Sequence, residues 1–200
     1  MWHEVSMVVV AYLLGSIPSA LIFVRMAGKG DVRTIGSGNV GATNALRAAG
    51  WKVALPVMAV DIGKGVAAVL LMRWLTPAPE WHAAAGLAAI LGHCFPVWLG
   101  FSGGKGMATA GGIFLVLAWL PALAAAALWI VLLVLGRRVS LASVLATAAF
   151  PPLLLLISHP PRPVIVCAVA AAAVIVFRHR SNLVRLVKGT EPRIGEKHAA

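Results

Sequence analysis

The sequence predicts an all-α fold, a polytopic transmembrane helical bundle, and three observations carry that expectation. Of its 200 residues 60% are hydrophobic and only 12% are charged, where a soluble domain carries roughly 25% charge. The mean hydropathy is +0.93. Apolar runs recur along the whole chain, at 5–26, 53–75, 81–99, 107–135, 141–157 and 164–177, each close to or above the roughly 17–25 residues that a bilayer demands of a helix. No stretch is left over for a soluble domain, so residues 1–200 read as a single integral-membrane domain.

The first run resembles a signal peptide, since 16–20 is a small-residue stretch after an apolar segment. Its opening residues, however, include His3 and Glu4 and neither Lys nor Arg, so a retained span is the better reading. The second run holds Asp61 and Lys64 at i and i+3, where they can neutralise one another. Ionisable residues inside a membrane are functional candidates by default, and the pair reads equally as a structural ion pair. The third run ends near His93 and Cys94, ahead of Phe95-Pro96. The fourth is about 30 residues long and reads as one tilted helix or as two short ones broken near Pro121, each short for a full crossing. The distribution of basic residues favours the two, because a single helix would put Arg137 and Arg138 outside. With that split and the N-terminus outside, one side holds Arg25, Lys29, Arg33, Arg47, Lys52, Lys105, Arg137, Arg138 and the basic tail from Arg178 onward. The other side keeps only Arg73 and Arg162. Basic residues gather on the cytoplasmic side, so about seven spans with a cytoplasmic C-terminus are expected.

The net charge of +11 sits between apolar spans, where it reads as topology signals and contacts to anionic headgroups or substrates. Nucleic acid is therefore not an expected partner. Cys94 and Cys167 lie within apolar runs and are too few for a disulfide framework. No paired His, Cys or carboxylate spacing suits a metal.

Three polar stretches fall on the cytoplasmic face in this topology. The first is Gly36-Ser-Gly-Asn-Val-Gly-Ala-Thr-Asn-Ala-Leu-Arg47. Its glycines at 36, 38 and 41 let the backbone bend, and a helix starting near Ala42 would aim N–H groups and a positive dipole end at an anion. Thr43, Asn44 and Arg47 then share one helical face. The second runs from Gly92-His-Cys-Phe-Pro96 through Phe101-Ser-Gly-Gly-Lys-Gly106 and sets Lys105 between Gly103, Gly104 and Gly106, as in a phosphate cradle. It lacks the Gly-Lys-Ser/Thr order of a Walker A loop, which disfavours an ATPase. The third spans Arg178 to Glu191, with His179 and Asn182 three apart and Arg178 and Arg185 on a neighbouring stripe. Alone, such a basic helix is an ordinary headgroup anchor; three glycine, amide and cation clusters on one face favour a phosphate site.

These segments closely resemble the signature motifs of the PlsY-type acyl-phosphate:glycerol-3-phosphate acyltransferases of bacterial inner membranes. The similar patterns are Gly-Ser-Gly-Asn-x-Gly-Ala-Thr-Asn at 36–44 with Arg47 following, Gly-His-x-Phe-Pro at 92–96, Phe-x-Gly-Gly-Lys-Gly at 101–106, and Arg-His-x-x-Asn with Arg-Leu and Gly-x-Glu at 178–191. Leu183 stands where Ile is common and Met107 where Val is common. Cys94 occupies an open position of the pattern, which argues against a covalent thioester role.

The resemblance implies transfer of a fatty acyl group from acyl phosphate to the 1-hydroxyl of glycerol 3-phosphate in the bacterial inner membrane, at its cytoplasmic face. It gives Ser37, Gly38 and Asn39 to the acyl-phosphate head group. Arg47, Lys105, His179 and Asn182 bind phosphate and position the glycerol substrate. Ser37, Arg47, Lys105, His179 and Asn182 form the expected catalytic set, while Gly41, Thr43, Asn44, His93, Gly103, Gly104, Gly106, Ser140, Ser143 and Arg185 join the substrate-binding set. Acyl phosphate is already activated, so neither metal nor nucleotide cofactor is needed. Membrane lipids are expected partners, as is functional coupling to an enzyme that makes acyl phosphate. An organic-phosphate transporter would need polar residues along the spans, which hold little beyond Asp61 and Lys64, and a purely structural lipid binder leaves the clustered glycines unexplained.

Overall fold

The computed structural model describes residues 1–195, all α-helix, short 3-10 turns and loops among the described residues. Lys197, counted with the basic tail, lies outside them. The chain divides into two compact units, Met1–Leu117 and Ala118–Ala200.

In the first unit, α1 (Trp2–Gly15) and α2 (Ser19–Met26) share the first apolar run. The retained span expected there is present as one apolar stretch, Trp2–Met26, broken into two helices. Pro18 has no N–H, and its ring excludes the carbonyl four residues back. The freed backbone is re-satisfied locally, with Ser16 Oγ donating to Tyr12 O at 2.8 Å and Ser19 N to Ile17 O at 3.0 Å. After α2 a single turn, Val32–Thr34, leads into the glycine-rich loop and α3 (Ala42–Ala49), which begins at the expected residue. Next come α4 (Trp51–Leu75) and α5 (Pro79–Cys94), and the unit closes with α6 (Met107–Leu117). α4 has 25 residues, about 37 Å at 1.5 Å each, ample for a hydrocarbon core of about 30 Å. α6 has only 11, about half that thickness. It stops at Leu117 because Pro121 would drive its ring into the Leu117 carbonyl if the helix ran on.

Small residues let these helices approach closely, since lipid offers no hydrophobic drive for helices to associate. A methyl group at Gly15 would overlap Ala89 O and one at Gly92 would overlap Tyr12 O, which locks α1 on α5. Methyls at Gly65 and Gly112 would overlap Thr109 O and Ile62 O, which does the same for α4 and α6. Tyr12 Oη also donates to Phe95 O at 2.7 Å. A separate buried cluster of Ala20, Leu21, Val24, Val32, Val40, Ala45 and Val57 packs α2, the 32–34 turn, the glycine-rich loop and α3 onto α4. It sets where the glycine-rich loop stands.

The second unit holds α7 (Trp119–Gly136), α8 (Val139–Ile157), α9 (Arg162–Arg178) and α10 (Arg180–Val187). A tight turn with Arg137 in the left-handed region (φ 52°) joins α7 to α8, and Trp129 Nε1 donates across the pair to Ser143 Oγ at 3.1 Å. α9 and α10 meet at a 58° bend.

Among the described residues five helical stretches are long and apolar enough to cross a membrane, taking α1 and α2 as one, and a sixth if α9 and α10 form one bent span. The expected division of 107–135 is present, with its break at Ala118 rather than at Pro121 itself. The unequal lengths that result leave α6, with 11 residues, shorter than a full crossing.

Candidate active site

In the first unit the glycine-rich loop is built around a buried amide. Asn44, 1% exposed, accepts from Ser37 N at 3.0 Å through Oδ1, and its Nδ2 donates to Val32 O at 2.8 Å and Ile35 O at 3.0 Å. Both amide hydrogens are thereby committed to the loop. Asn44 was expected to face substrate on a stripe with Thr43 and Arg47. The structure turns it inward on the face that carries Ala45, leaves Thr43 half-buried and Arg47 exposed. Gly36 and Gly38 have φ of 59° and 67°, which side-chain-bearing residues avoid. The Arg47 stem lies over Gly36, with its Cδ 3.5 Å from where a methyl there would stand. Ser37 and Arg47 therefore occupy one exposed corner. Gly41 caps α3, its carbonyl accepting from Asn44 N and Ala45 N at 3.0 Å. Asn39 is half-buried, with its Nδ2 close over Gly41.

The second glycine stretch folds back on the end of α5. Gly103 N donates to Cys94 O at 3.2 Å and Gly104 N to His93 O at 3.0 Å. Both glycines are buried, and Lys105 after them is half-buried. A methyl on Gly104 would overlap the His93 ring and lie 2.6 Å from Val40 O, so the loop that carries Lys105 is seated against the loop that carries Ser37. Gly106, at φ 86°, then turns the chain into α6. Nearby, Asp31 takes Arg33 and Arg25 as partners at 2.7 and 3.0 Å. The hydrogen bonds from Arg33, then that from Arg25, hold its carboxyl well below the usual carboxylate range.

The second unit gathers its polar groups around Glu191. Ser140 Oγ and Asn182 Nδ2 each donate to Oε1 at 2.7 Å, Arg185 Nε donates to Oε2 at 2.7 Å, and Arg138 Nε reaches the Glu191 carbonyl at 3.2 Å. Burial pushes this carboxyl up, while the bonds from Ser140, Asn182 and Arg185 pull it down further, so it lies below its ordinary value of 4.5. The structure thus unites Ser140, Asn182 and Arg185 through a residue that was not among the expected site residues. The available signal was its place as the last residue of the Gly-x-Glu pattern at 178–191. Ser143, 3% exposed, is held by Trp129. His179 sits at the α9–α10 bend, 3% exposed, with Nδ1 2.8 Å from Ile175 O. A carbonyl only accepts, so Nδ1 carries hydrogen, and in the neutral ring Nε2 is then an acceptor.

Chemically, the first unit offers a lysine and an arginine on bent glycine segments, cations suited to anionic oxygens. The second offers an imidazole of set tautomer, an oriented amide and guanidinium groups, donors that suit phosphate.

Known proteins are similar to this chain over nearly its whole length. The family model described as glycerol-3-phosphate acyltransferase matches residues 5–189. A glycerol-3-phosphate acyltransferase of Caulobacter vibrioides is 48% identical over 194 residues, covering 96% of this chain and 88% of that protein. One of Brucella anthropi is 44% identical, covering 94% and 92%. Among solved structures, the crystal structure of PlsY (YgiH), an integral membrane glycerol 3-phosphate acyltransferase, in its glycerol 3-phosphate form matches with a TM-score of 0.90 at 38% identity over 96% of each chain. Its lysophosphatidic acid form matches with a TM-score of 0.88. With a family model spanning both units and relatives this similar over nearly their whole length, the chain belongs to the glycerol-3-phosphate acyltransferase family and is an integral membrane enzyme of phospholipid synthesis.

Proposed function

We propose that the chain transfers a fatty acyl group from acyl phosphate to the 1-hydroxyl of glycerol 3-phosphate, yielding lysophosphatidate and inorganic phosphate. The observation that carries the reading is the seating of the Lys105 loop against the Ser37 loop through Gly104 and Val40, which brings a cation-bearing and an amide-rich segment together in one unit. The solved relatives described in glycerol 3-phosphate and lysophosphatidic acid forms support the acceptor and the product.

In this reading the glycerol hydroxyl oxygen attacks the acyl carbonyl carbon. The carbonyl electron pair moves onto oxygen, and backbone N–H groups with Lys105 meet the resulting oxyanion. Such donors are worth roughly 3–4 kcal/mol each in other acyl transfers. Collapse of the tetrahedral species breaks the carbon–oxygen bond to phosphate, which leaves with the electron pair. A phosphate monoester has a second pKa near 6, so the acceptor's own phosphate takes the hydroxyl proton. Ser37, Gly38 and Asn39 hold the acyl-phosphate head group, with Gly41 and Thr43 flanking it. Arg47 and Lys105 in the first unit and His179, Asn182 and Arg185 in the second are assigned to phosphate binding and glycerol positioning, and Ser140 and Ser143 to substrate binding. Asn44 acts through the loop it organises. Gly103, Gly104 and Gly106 shape the loop around Lys105.

The whole chain works as one catalytic domain with its active face on the cytoplasmic side of the bacterial inner membrane. It crosses seven times, N-terminus outside, with α6 as the shortened crossing, and receives acyl phosphate from an enzyme that makes it. The test is purified full chain given glycerol 3-phosphate with either acyl phosphate or acyl-coenzyme A, with and without chelator. Lysophosphatidate from acyl phosphate alone, undiminished by EDTA, is expected. Equal use of acyl-coenzyme A would overturn the donor, and loss of activity in EDTA would overturn independence from metal.

A further inference from the structure

Asp61 and Lys64 stand one turn apart on α4, 1% and 6% exposed, inside a span where an uncompensated charge is strongly disfavoured. They compensate each other, Lys64 Nζ lying 2.8 Å from Asp61 Oδ1. A buried ion pair is weak evidence for stability, because apolar replacements often do as well, and a pair needed only for mutual neutrality would require no other partner. This one reaches three further segments. Ser19 Oγ, at the start of α2, donates to Asp61 Oδ1 at 2.7 Å. Lys64 Nζ donates to Ile17 O at 3.2 Å, at the break between α1 and α2. His93 Nδ1, in the last turn of α5, stands 3.6 Å from the same Asp61 oxygen.

His93 carries the connection onward. Its ring faces the Asp61 carboxylate on one side and packs on the other against Gly104, closely enough to exclude a methyl there. Its carbonyl accepts from Gly104 N, and that of Cys94 from Gly103 N. Lys105 is the next residue. A continuous set of contacts therefore runs from the middle of α4 to the lysine loop, and one end of it is tied to the helix break at 16–18.

We propose that Asp61, Lys64 and His93 are positioning residues for acyl transfer: the buried pair fixes the His93 ring, and the ring and carbonyl of His93 fix the glycine loop so that Lys105 meets substrate phosphate in its reacting position. His93 then acts on the loop rather than on substrate. The inference rests on the phosphate role given above to Lys105.

The test is a set of double-mutant cycles on the purified full chain, reading kcat/KM with acyl phosphate and glycerol 3-phosphate. Asp61→Asn, His93→Gln and the milder Ser19→Ala are each made alone and in a Lys105→Ala background. Thermal midpoints establish that each protein is folded. A displacement of about 1 Å can cost up to about a hundredfold, so Asp61→Asn and His93→Gln should each lower kcat/KM about tenfold in the parent. In the Lys105→Ala background they should cost less than about twofold, because a loop without its lysine has little left to position. Should either variant fail to fold, Ser19→Ala decides by the same comparison, as it removes one hydrogen bond and leaves the charges in place. Equal fold losses in both backgrounds would overturn the positioning role and leave the phosphate role of Lys105 intact. An unchanged kcat/KM in Lys105→Ala alone would overturn both.

Discussion

Replacing Asn44 by alanine removes three hydrogen bonds from a side chain that is 1% exposed. At a net of about 1 kcal/mol each, the loss is about 3 kcal/mol. The Val32 carbonyl belongs to a buried residue and would be left without this donor, so the figure is not reduced by rehydration there. For a chain of 200 residues, 1 kcal/mol moves a thermal midpoint by about 2–4 °C, so Asn44→Ala should melt about 6–12 °C below the parent. Function should fall further than stability. The Ser37 N–H and the bend at Gly36 depend on the same amide, and a loop displaced by about 1 Å can cost about a hundredfold in kcat/KM. Asn44→Asp isolates the cause. It keeps the acceptor for Ser37 N but aims a second oxygen at the Val32 and Ile35 carbonyls, and should be at least as damaging as alanine. Melting of purified protein in detergent, followed by initial rates well below each midpoint, measures both quantities. If Asn44→Ala melted within about 2 °C of the parent and kept kcat/KM within about twofold, Asn44 would not be the organiser of this loop.

Glu191 has a carboxyl depressed below 4.5, so its contribution to stability is complete above 4.5 and is lost as pH falls from there through the lower folded-state value. The parent should lose melting temperature across that window, and Glu191→Gln should start lower at neutral pH and show less of that slope; identical acid slopes would refute the hub role. Single cysteines near Pro79 and Pro161 should react with an impermeant reagent applied outside, and one near Gly30 should not. Labelling at Gly30 would reverse the proposed orientation. His179→Ala should reduce kcat/KM yet keep an acid limb near pH 6, since about 6 is the second pKa of the substrate phosphate. Disappearance of a limb that the parent shows would make His179 the base.

The apolar spans were legible because length and composition alone decide whether a helix suits a bilayer, and the division of 107–135 followed from the basic residues on either side, with Pro121 marking where a break could fall. The break at 16–18 was not, although Pro18 is as plain as Pro121, because the apolar run on both sides reads as one span. Legibility fails most where side-chain direction depends on distant packing. Helical spacing puts Thr43, Asn44 and Arg47 on one stripe, but the cluster of Val24, Val32, Ala45 and Val57 decides which edge of α3 faces inward, and Asn44 goes with Ala45. Glu191 gains its role from Ser140, 51 residues earlier, a pairing no local pattern encodes. Asp61 and Lys64 announced themselves as a pair by spacing, whereas their link to His93 depends on how α4 and α5 pack.

The most direct test of the phosphate-site account is Lys105→Ala, assayed at subsaturating glycerol 3-phosphate beside a thermal melt. Loss of one donor to a developing oxyanion or bound phosphate predicts a fall in kcat/KM of about 10²–10³, with the thermal midpoint within about 2 °C of the parent because Lys105 is only half-buried. A rate within about threefold of the parent would contradict the account and reduce Lys105 to a marker of topology.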